Sequence, residues 1–262
     1  MERVLFRMVI FCVLAVCSVQ TATAEDTVIR IAVADDFYPF YRKEADASFS
    51  GASVEVAKSV FASLGYNLRI TQYRDMRSAL EAIATGRQDV MINLTETSER
   101  AKIALFTTTP HVYETQDIIV RADARINFDG NLLDLASYRI GVIFGWTYGA
   151  EFDAADFLTK EPVLDSKAQL EGLLSGQFDV ALNNQQYFMA EAKQLGIGNV
   201  FKVLPPSVYV LPVNMAVSRK YPGAIELRND LDRELARFVS SEEYAQIMTQ
   251  FNLAKPGAEV AQ

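Results

Sequence analysis

One segment of this chain occurs twice, 90 residues apart. Leu80-Glu81 runs on to Thr85-Gly86, Asp89-Val90 and Asn93, and Leu170-Glu171 runs on to Ser175-Gly176, Asp179-Val180 and Asn183. The shared pattern is L-E-x-x-x-[ST]-G-x-x-D-V-x-x-N. Each copy reads as an apolar-striped helix, a Gly that ends it, and a short strand leading to a polar tip. A chain that builds one helix-to-strand unit twice folds most economically as two similar α/β lobes. A cleft between such lobes is a usual place for a small ligand.

The first residues read as a leader rather than as part of the fold. Arg3 and Arg7 come first, an apolar run from Met8 to Val19 follows, and Ala22-Thr23-Ala24 offers small residues for cleavage. The run is shorter than the about 20 apolar residues a membrane span needs. Cleavage after Ala24 and delivery to the periplasm are expected. Leu14-Ala15-Val16-Cys17 approaches a lipoprotein cleavage box, with Val16 bulky where a small residue is required. Both cysteines, Cys12 and Cys17, lie in this leader, so the exported chain has neither disulfide nor thiol chemistry. The formal net charge of −8 becomes −9 once Glu2, Arg3 and Arg7 leave. No basic run occurs, which argues against a nucleic-acid partner, since phosphate contacts need clustered Lys and Arg.

Helices alternate with strands along the rest, which implies a mostly parallel sheet. Residues 28–33 read as a first strand, 53–64 as a helix stopped by Gly65, and 67–73 as a strand before the first repeat copy. A strand over 114–121 is the first crossing between lobes. Residues 139–144 form the next strand, and a helix is expected from about Thr147. Pro205-Pro206 and the extended run 208–217 form the return crossing. Two helices close the chain, over about 221–238 and 240–251, the second with a Ser240–Glu243 capping box. The expected lobes are residues 25–117 with 210–262, and residues 118–209, behind a signal peptide of residues 1–24. Two crossing strands make a hinge suited to closure around a ligand.

Several chemistries lack their signatures. There is no G-x-x-x-x-G-K-[ST] and no G-x-S-x-G, and Gly196-Ile197-Gly198 lacks the third Gly of a dinucleotide fingerprint. The chain has a single His, His111, which leaves a His-based zinc site or a His-dependent triad without members. His111 reads as a loop residue beside Pro110 or a cleft-lining one. Asp35-Asp36 reads as a general-base pair, a metal corner, or two solvated turn formers. No cofactor, metal or catalytic set is expected, nor is enzymatic activity, and the chain is expected to be monomeric.

An ordered series of residues carries a resemblance. It runs Phe37-x-Pro39-Phe40, Gly51 before Ser53-Val54-Glu55-Val56, Leu64-Gly65, Ala79-Leu80 through Gly86-x-x-Asp89, and Thr97-Ser98-Glu99-Arg100. Gly141-Val142-x-x-Gly145-x-Thr147 and Gly176-x-x-Asp179 complete it. Over the whole exported chain this resembles the periplasmic solute-binding proteins of polar amino-acid ABC transporters, the bacterial extracellular solute-binding protein family 3. The resemblance implies an α/β, type II periplasmic-binding-protein fold: two parallel-sheet lobes joined by two crossing strands. It also implies that Arg100, through a T-x-x-R motif, grips the ligand's α-carboxylate, with Thr95 and Asn93 as nearby contacts. A planar guanidinium suits that task because it makes two parallel, charge-assisted hydrogen bonds. From the second lobe, Gly145, Thr147 and Tyr148 match the turn whose backbone N–H groups meet the same carboxylate. Phe37 and Tyr73 match aromatic positions that sandwich the ligand's side chain.

Two departures bear on the ligand. The family's Asp for the ligand's α-ammonium aligns with Asn184, a neutral amide, and a second acidic position aligns with Ala34, leaving Asp35 or Asp36 to compensate. The Gly-x-Asp-x-Asp signature also carries Ser53 and Glu55 instead of its acids. The resemblance implies a periplasmic receptor that captures a small carboxylate-bearing ligand, an amino acid or related organic acid, and presents it to an ABC permease or membrane sensor. Two other uses of the fold stand beside it: an enzyme resembling cyclohexadienyl dehydratase, and a sensory or docking subunit that works without a transporter.

Overall fold

The two copies of the repeated segment become two copies of a larger unit. The computed structural model describes residues 27–253; the leader, its cleavage after Ala24 and lipidation at Cys17 lie outside the described residues. In chain order the first lobe contains β1 (Val28–Val33), the short pair β2 (Arg42–Lys43) and β3 (Phe49–Ser50), α1 (Ala52–Ser63), β4 (Asn67–Gln72), α2 (Met76–Ala84), β5 (Val90–Leu94) and β6 (Ala104–Phe106). The long strand β7 (Val112–Arg121) leads into β8 (Arg139–Ile143), α3 (Ala150–Ala154), β9 (Thr159–Val163), α4 (Ser166–Ser175), β10 (Val180–Asn183) and α5 (Gln185–Gln194). The 18-residue strand β11 (Phe201–Ser218) returns, and α6 (Ala224–Phe238) and α7 (Glu242–Gln250) finish the first lobe.

The repeat reaches beyond the residues matched in sequence. Asp75 and Asp165 each cap the helix of their copy, accepting from the backbone N–H of Ser78 and of Ala168. Gly86 and Gly176 both take left-handed φ values, 75° and 77°, which lets the chain turn from helix to strand. Each copy's strand then lies parallel to an upstream strand in the same register, Ile31 opposite Val90 and Ile140 opposite Val180. An arginine on the upstream strand locks each copy. Arg30 donates to Asp89 and to the Gly86 carbonyl, and Arg139 donates to Asp179 and to the Gly176 carbonyl.

The strands form one curled sheet in the order β4-β1-β5-β11-β7-β10-β8-β9, with β6 also on β11. β7 and β11 run antiparallel and are the two crossings: β11 pairs with β5 and β6 at one end and with β7 along the rest. One apolar cluster packs α1, α6 and α7 on the first sheet half through Ile31, Phe61, Leu231 and Tyr244. Another fills the second half through Ile118, Ile140, Phe152 and Leu182.

Some local expectations shift. The N-cap of α7 is Ser241, whose Oγ accepts from Tyr244 N–H, because Ser240 N–H still closes α6 on Arg237 O. The helix expected from Thr147 begins at Ala150, since Asp153 folds back onto Thr147 Oγ1 and Tyr148 N–H. Strand β9 and helix α5 lack a clear sequence signal: β9 carries Pro162 among polar residues, and α5 opens on amides that continue from the tip of β10. Among the described residues no helix is long and apolar enough to cross a membrane.

Candidate ligand site between the lobes

Where the lobes meet, a small cavity is lined by Phe37, Asn93, Thr95, Arg100 and Thr147, all expected from the sequence. Tyr41, Met76, Leu94, Glu114 and Trp146 complete its wall. Its volume is about 20 Å³, room for about one water molecule and far short of an amino acid. The indole of Trp146 explains the tightness. It packs against the cores of both lobes and meets Phe37 edge-on, with ring centroids 4.8 Å apart.

Arg100 opens the 3-10 turn that follows β5. Thr97 Oγ1 accepts from the Arg100 backbone N–H at 3.2 Å, so the T-x-x-R spacing works as a local cap. Its side chain is buried, at 7% exposure. The guanidinium donates to Thr95 O at 2.8 Å within its own lobe and to Gly145 O at 2.9 Å in the other. Burial pushes Arg100 down to about 10, the mark of a buried cation bonded to carbonyls, and it remains charged at neutral pH.

Asn93 is oriented by a buried chain of hydrogen bonds. Ser53 Oγ donates to Asn93 Oδ1 at 2.7 Å, and His111 Nε2 lies 3.0 Å from Ser53 Oγ. Because the one Ser53 hydroxyl proton goes to Asn93, Nε2 of His111 carries the ring proton and donates, while Nδ1 has no partner among the described residues. Burial drops His111 to about 3, so the ring is neutral. The chain runs from His111 through Ser53 to Asn93 and leaves the Asn93 amide nitrogen for the cavity.

Glu114, on β7, is the group that composition and spacing did not single out. It is buried, and its Oε2 has no hydrogen-bond partner among the described residues. Burial pushes its carboxyl up to about 7, against the pull of nearby Arg100. Two residues along the same face of β7, Gln116 is fully buried, with neither amide atom bonded among the described residues.

The sequence pattern of the bacterial extracellular solute-binding proteins, family 3, matches residues 29–254, most of the chain. The chain belongs to this family. A relative from Bacillus subtilis (strain 168), probable amino-acid-binding protein YxeM, is 22% identical over 179 residues, covering 66% of this chain and 65% of its own length. The chain thus spans just under two thirds of that relative. Among solved structures, an ancestral arginine-binding protein bound to arginine superposes with a TM-score of 0.72 at 23% identity, over 86% of this chain and 97% of its own. A histidine kinase sensor domain with similarity to periplasmic binding proteins reaches 0.73 at 21% identity, over 87% and 98%. At these identities the likeness establishes the fold.

Three residues expected from the resemblance to contact the ligand do not line this cavity. Tyr73 is held by Gln88, whose Nε2 donates to its hydroxyl at 3.1 Å, and packs beside α2. Tyr148 is buried in the second lobe's core with its hydroxyl accepting from Ile143 N–H at 2.6 Å, and its own N–H is taken by Asp153. Asn184 caps α5 and donates to Thr115. Asp35 and Asp36 sit across Met76 and Trp146 from Arg100, in an adjoining depression. Asp36 accepts from Lys43 N–H and Gln72 Nε2. Nothing in the sequence sets Glu114 apart, since Asp117 follows it three residues later in the same crossing strand. For Trp146 the sequence signal was an aromatic inside the G-x-T turn.

Proposed function

We propose that this protein is a receptor that captures a small carboxylate-bearing solute between its lobes and signals capture by lobe closure. The lobes of this reading are residues 25–117 with 210–262, and residues 118–209. Arg100 carries the proposal. It is a buried cation in the interlobe cavity, and one of its two guanidinium bonds already spans to the other lobe. A carboxylate inserted at Gly145 O would exchange a neutral acceptor for a charged one and strengthen the link, since charge-assisted bonds are roughly twice as strong. Asn93, held by Ser53, Thr95 and Thr147 would contact the same ligand, and Phe37 would flank it. Tyr73, Tyr148 and Asn184 would act indirectly, through the packing and caps that hold the walls. The family is one of extracellular binding proteins, which agrees with an exported chain.

Trp146 and Gly145 must yield for a ligand to enter, so binding is coupled to opening at the β7–β11 hinge. A ligand shifts that equilibrium only by its differential affinity for the two states. An ABC permease would read the closed form as delivery and a membrane sensor would read it as a signal. The sensor-domain likeness keeps both partners in view.

The test is a thermal-shift screen of the protein, refolded to strip carried-over ligand, against amino acids and organic acids. A ligand at about 100 times its dissociation constant adds roughly 2.7 kcal/mol. A carboxylate that shifts the wild type and not Arg100→Gln supports the reading; equal shifts in both overturn it.

Glu114 favours one second reading. A buried carboxyl near neutrality beside Arg100 meets the requirement of a general acid, which the Asn183-Asn184-Gln185 tip does not. Turnover of prephenate or arogenate, lost in Glu114→Gln, would make the protein a dehydratase.

A further inference from the structure

The cavity holds two opposite charges that do not satisfy each other. The Arg100 guanidinium donates to the carbonyls of Thr95 and Gly145. Glu114, in the same wall, keeps Oε2 unbonded and buried. A buried carboxyl oxygen without a donor is costly, and in a folded protein such an orphan calls for an explanation. The acid that would take a ligand ammonium elsewhere in this fold is here Asn184, whose amide is committed to capping α5 and to Thr115. Asp36 is likewise committed, to Lys43 and Gln72.

We propose that Glu114, on the crossing strand β7, is the residue that pairs with a ligand ammonium at this site. The inference rests on the receptor reading above and adds the second pole to it. The ligand's carboxylate replaces Gly145 O on Arg100, and its ammonium donates to Glu114 Oε2. Both poles then lie on or beside the first lobe, on the turn after β5 and on the crossing strand β7. That arrangement differs from one in which the second lobe's strand tip holds the ammonium. Gln116, unbonded on the same face of β7, marks where polar demand continues past the present cavity wall once the lobes part.

The arrangement carries a pH signature. The titratable groups facing Glu114 are Arg100 from the turn after β5, Tyr41 from the loop after β1 and Tyr148 from the turn after β8. Burial raises both tyrosines, which stay neutral, and Arg100 stays charged through neutral pH. Glu114, pushed up to about 7, is the group of this set that changes charge there. It pairs with an ammonium only when ionised, so preference for the amine-bearing ligand grows as pH rises.

The experiment is a calorimetric titration of the full protein with three matched pairs: L-alanine and propionate, L-glutamine and 4-carbamoylbutanoate, L-arginine and 5-guanidinopentanoate. Wild type is expected to prefer the amino acid of at least one pair, by roughly a hundredfold, and that preference should grow about tenfold from pH 6 to pH 8. Glu114→Gln, near-isosteric and checked for folding by its melting temperature, is expected to erase the preference while keeping affinity for the deaminated acid. Glu114→Asp, which keeps the charge, should retain part of it. A preference that survives Glu114→Gln overturns the inference, as does a deaminated acid binding as tightly as its amino acid; both leave the Arg100 reading intact. If no carboxylate in the panel binds, both fall together.

Discussion

Arg100, from the first lobe, donates a 2.9 Å hydrogen bond to the carbonyl of Gly145 in the second. The contact joins the candidate ligand grip to the turn that must move for a ligand to enter. Removing the guanidinium therefore acts twice, on binding and on the resting contact between lobes. Arg100→Gln is expected to weaken the best carboxylate by roughly a hundredfold, and Arg100→Lys to recover little, because an ammonium cannot make the planar two-point grip. Isothermal titration reads both, and a Lys variant that binds like wild type would remove the argument for Arg.

Trp146 should govern how closed the ligand-free protein is. Its indole touches the cores of both lobes and stacks edge-on against Phe37. Trp146→Ala is expected to cost about 2 kcal/mol of stability and to increase the radius of gyration of the ligand-free protein in small-angle scattering. An unchanged radius would mean that the Arg100–Gly145 bond and the edge-on contact of Phe37 with Tyr187, ring centroids 5.0 Å apart, suffice to hold the lobes together.

Ser53 should matter to binding without touching the ligand. Its hydroxyl sets the Asn93 amide, and His111 sets the hydroxyl. Ser53→Ala frees that amide to rotate, and affinity is expected to fall roughly fivefold to tenfold. Wild-type affinity in this variant would show that Asn93 is not a ligand contact.

His111 should make the protein acid-sensitive. Its folded value lies at about 3, below an ordinary 6.5, because burial excludes the charged ring. The unfolded chain therefore binds a proton that the folded chain refuses, and stability is lost as pH falls from about 6.5 toward 3. Glu114 works in the opposite sense. Its folded value of about 7 exceeds an ordinary 4.5, so stability falls as pH rises between those values. Urea denaturation of Glu114→Gln should thus expose a His111 slope of about 1 kcal/mol per pH unit between pH 6.5 and 5. The slope should vanish in the double variant with His111→Gln.

The two copies of the strand-locking clamp should differ in strength. The Asp89 side chain is 4% exposed and accepts from Arg30 Nη2 at 2.5 Å, whereas Asp179 is 29% exposed and its side-chain contacts with Arg139 are 3.4 and 3.5 Å long. Asp89→Ala is expected to cost about 2 kcal/mol, mainly from the Arg30 backbone N–H left without its acceptor, since the Arg30 side chain is 45% exposed and can be rehydrated. Asp179→Ala should cost about 1 kcal/mol or less. Equal losses by chemical denaturation would show that burial does not set the difference.

The repeat, the alternation of helix and strand, and the family fold were written locally. Periodicity, a Gly after a helix and a cap before one depend on neighbours within a turn or two, so Leu80–Asn93 and Leu170–Asn183 declared themselves in sequence. Arg100 was singled out through the T-x-x-R resemblance, whose Thr97 does cap its backbone N–H three residues away. Tertiary structure decided the rest. Glu114 looks like any acid in a strand until β7, the turn after β5 and the turn at Gly145 converge and bury its carboxyl. The resemblance put Tyr148, Asn184 and Tyr73 at ligand positions, yet Asp153, Thr115 and Gln88 claim their polar groups. Trp146 fills the cleft because two cores reach it at once. Whether a polar side chain is spent on structure or left for a ligand depends on partners far away in sequence, and burial by distant elements is what a local pattern does not encode.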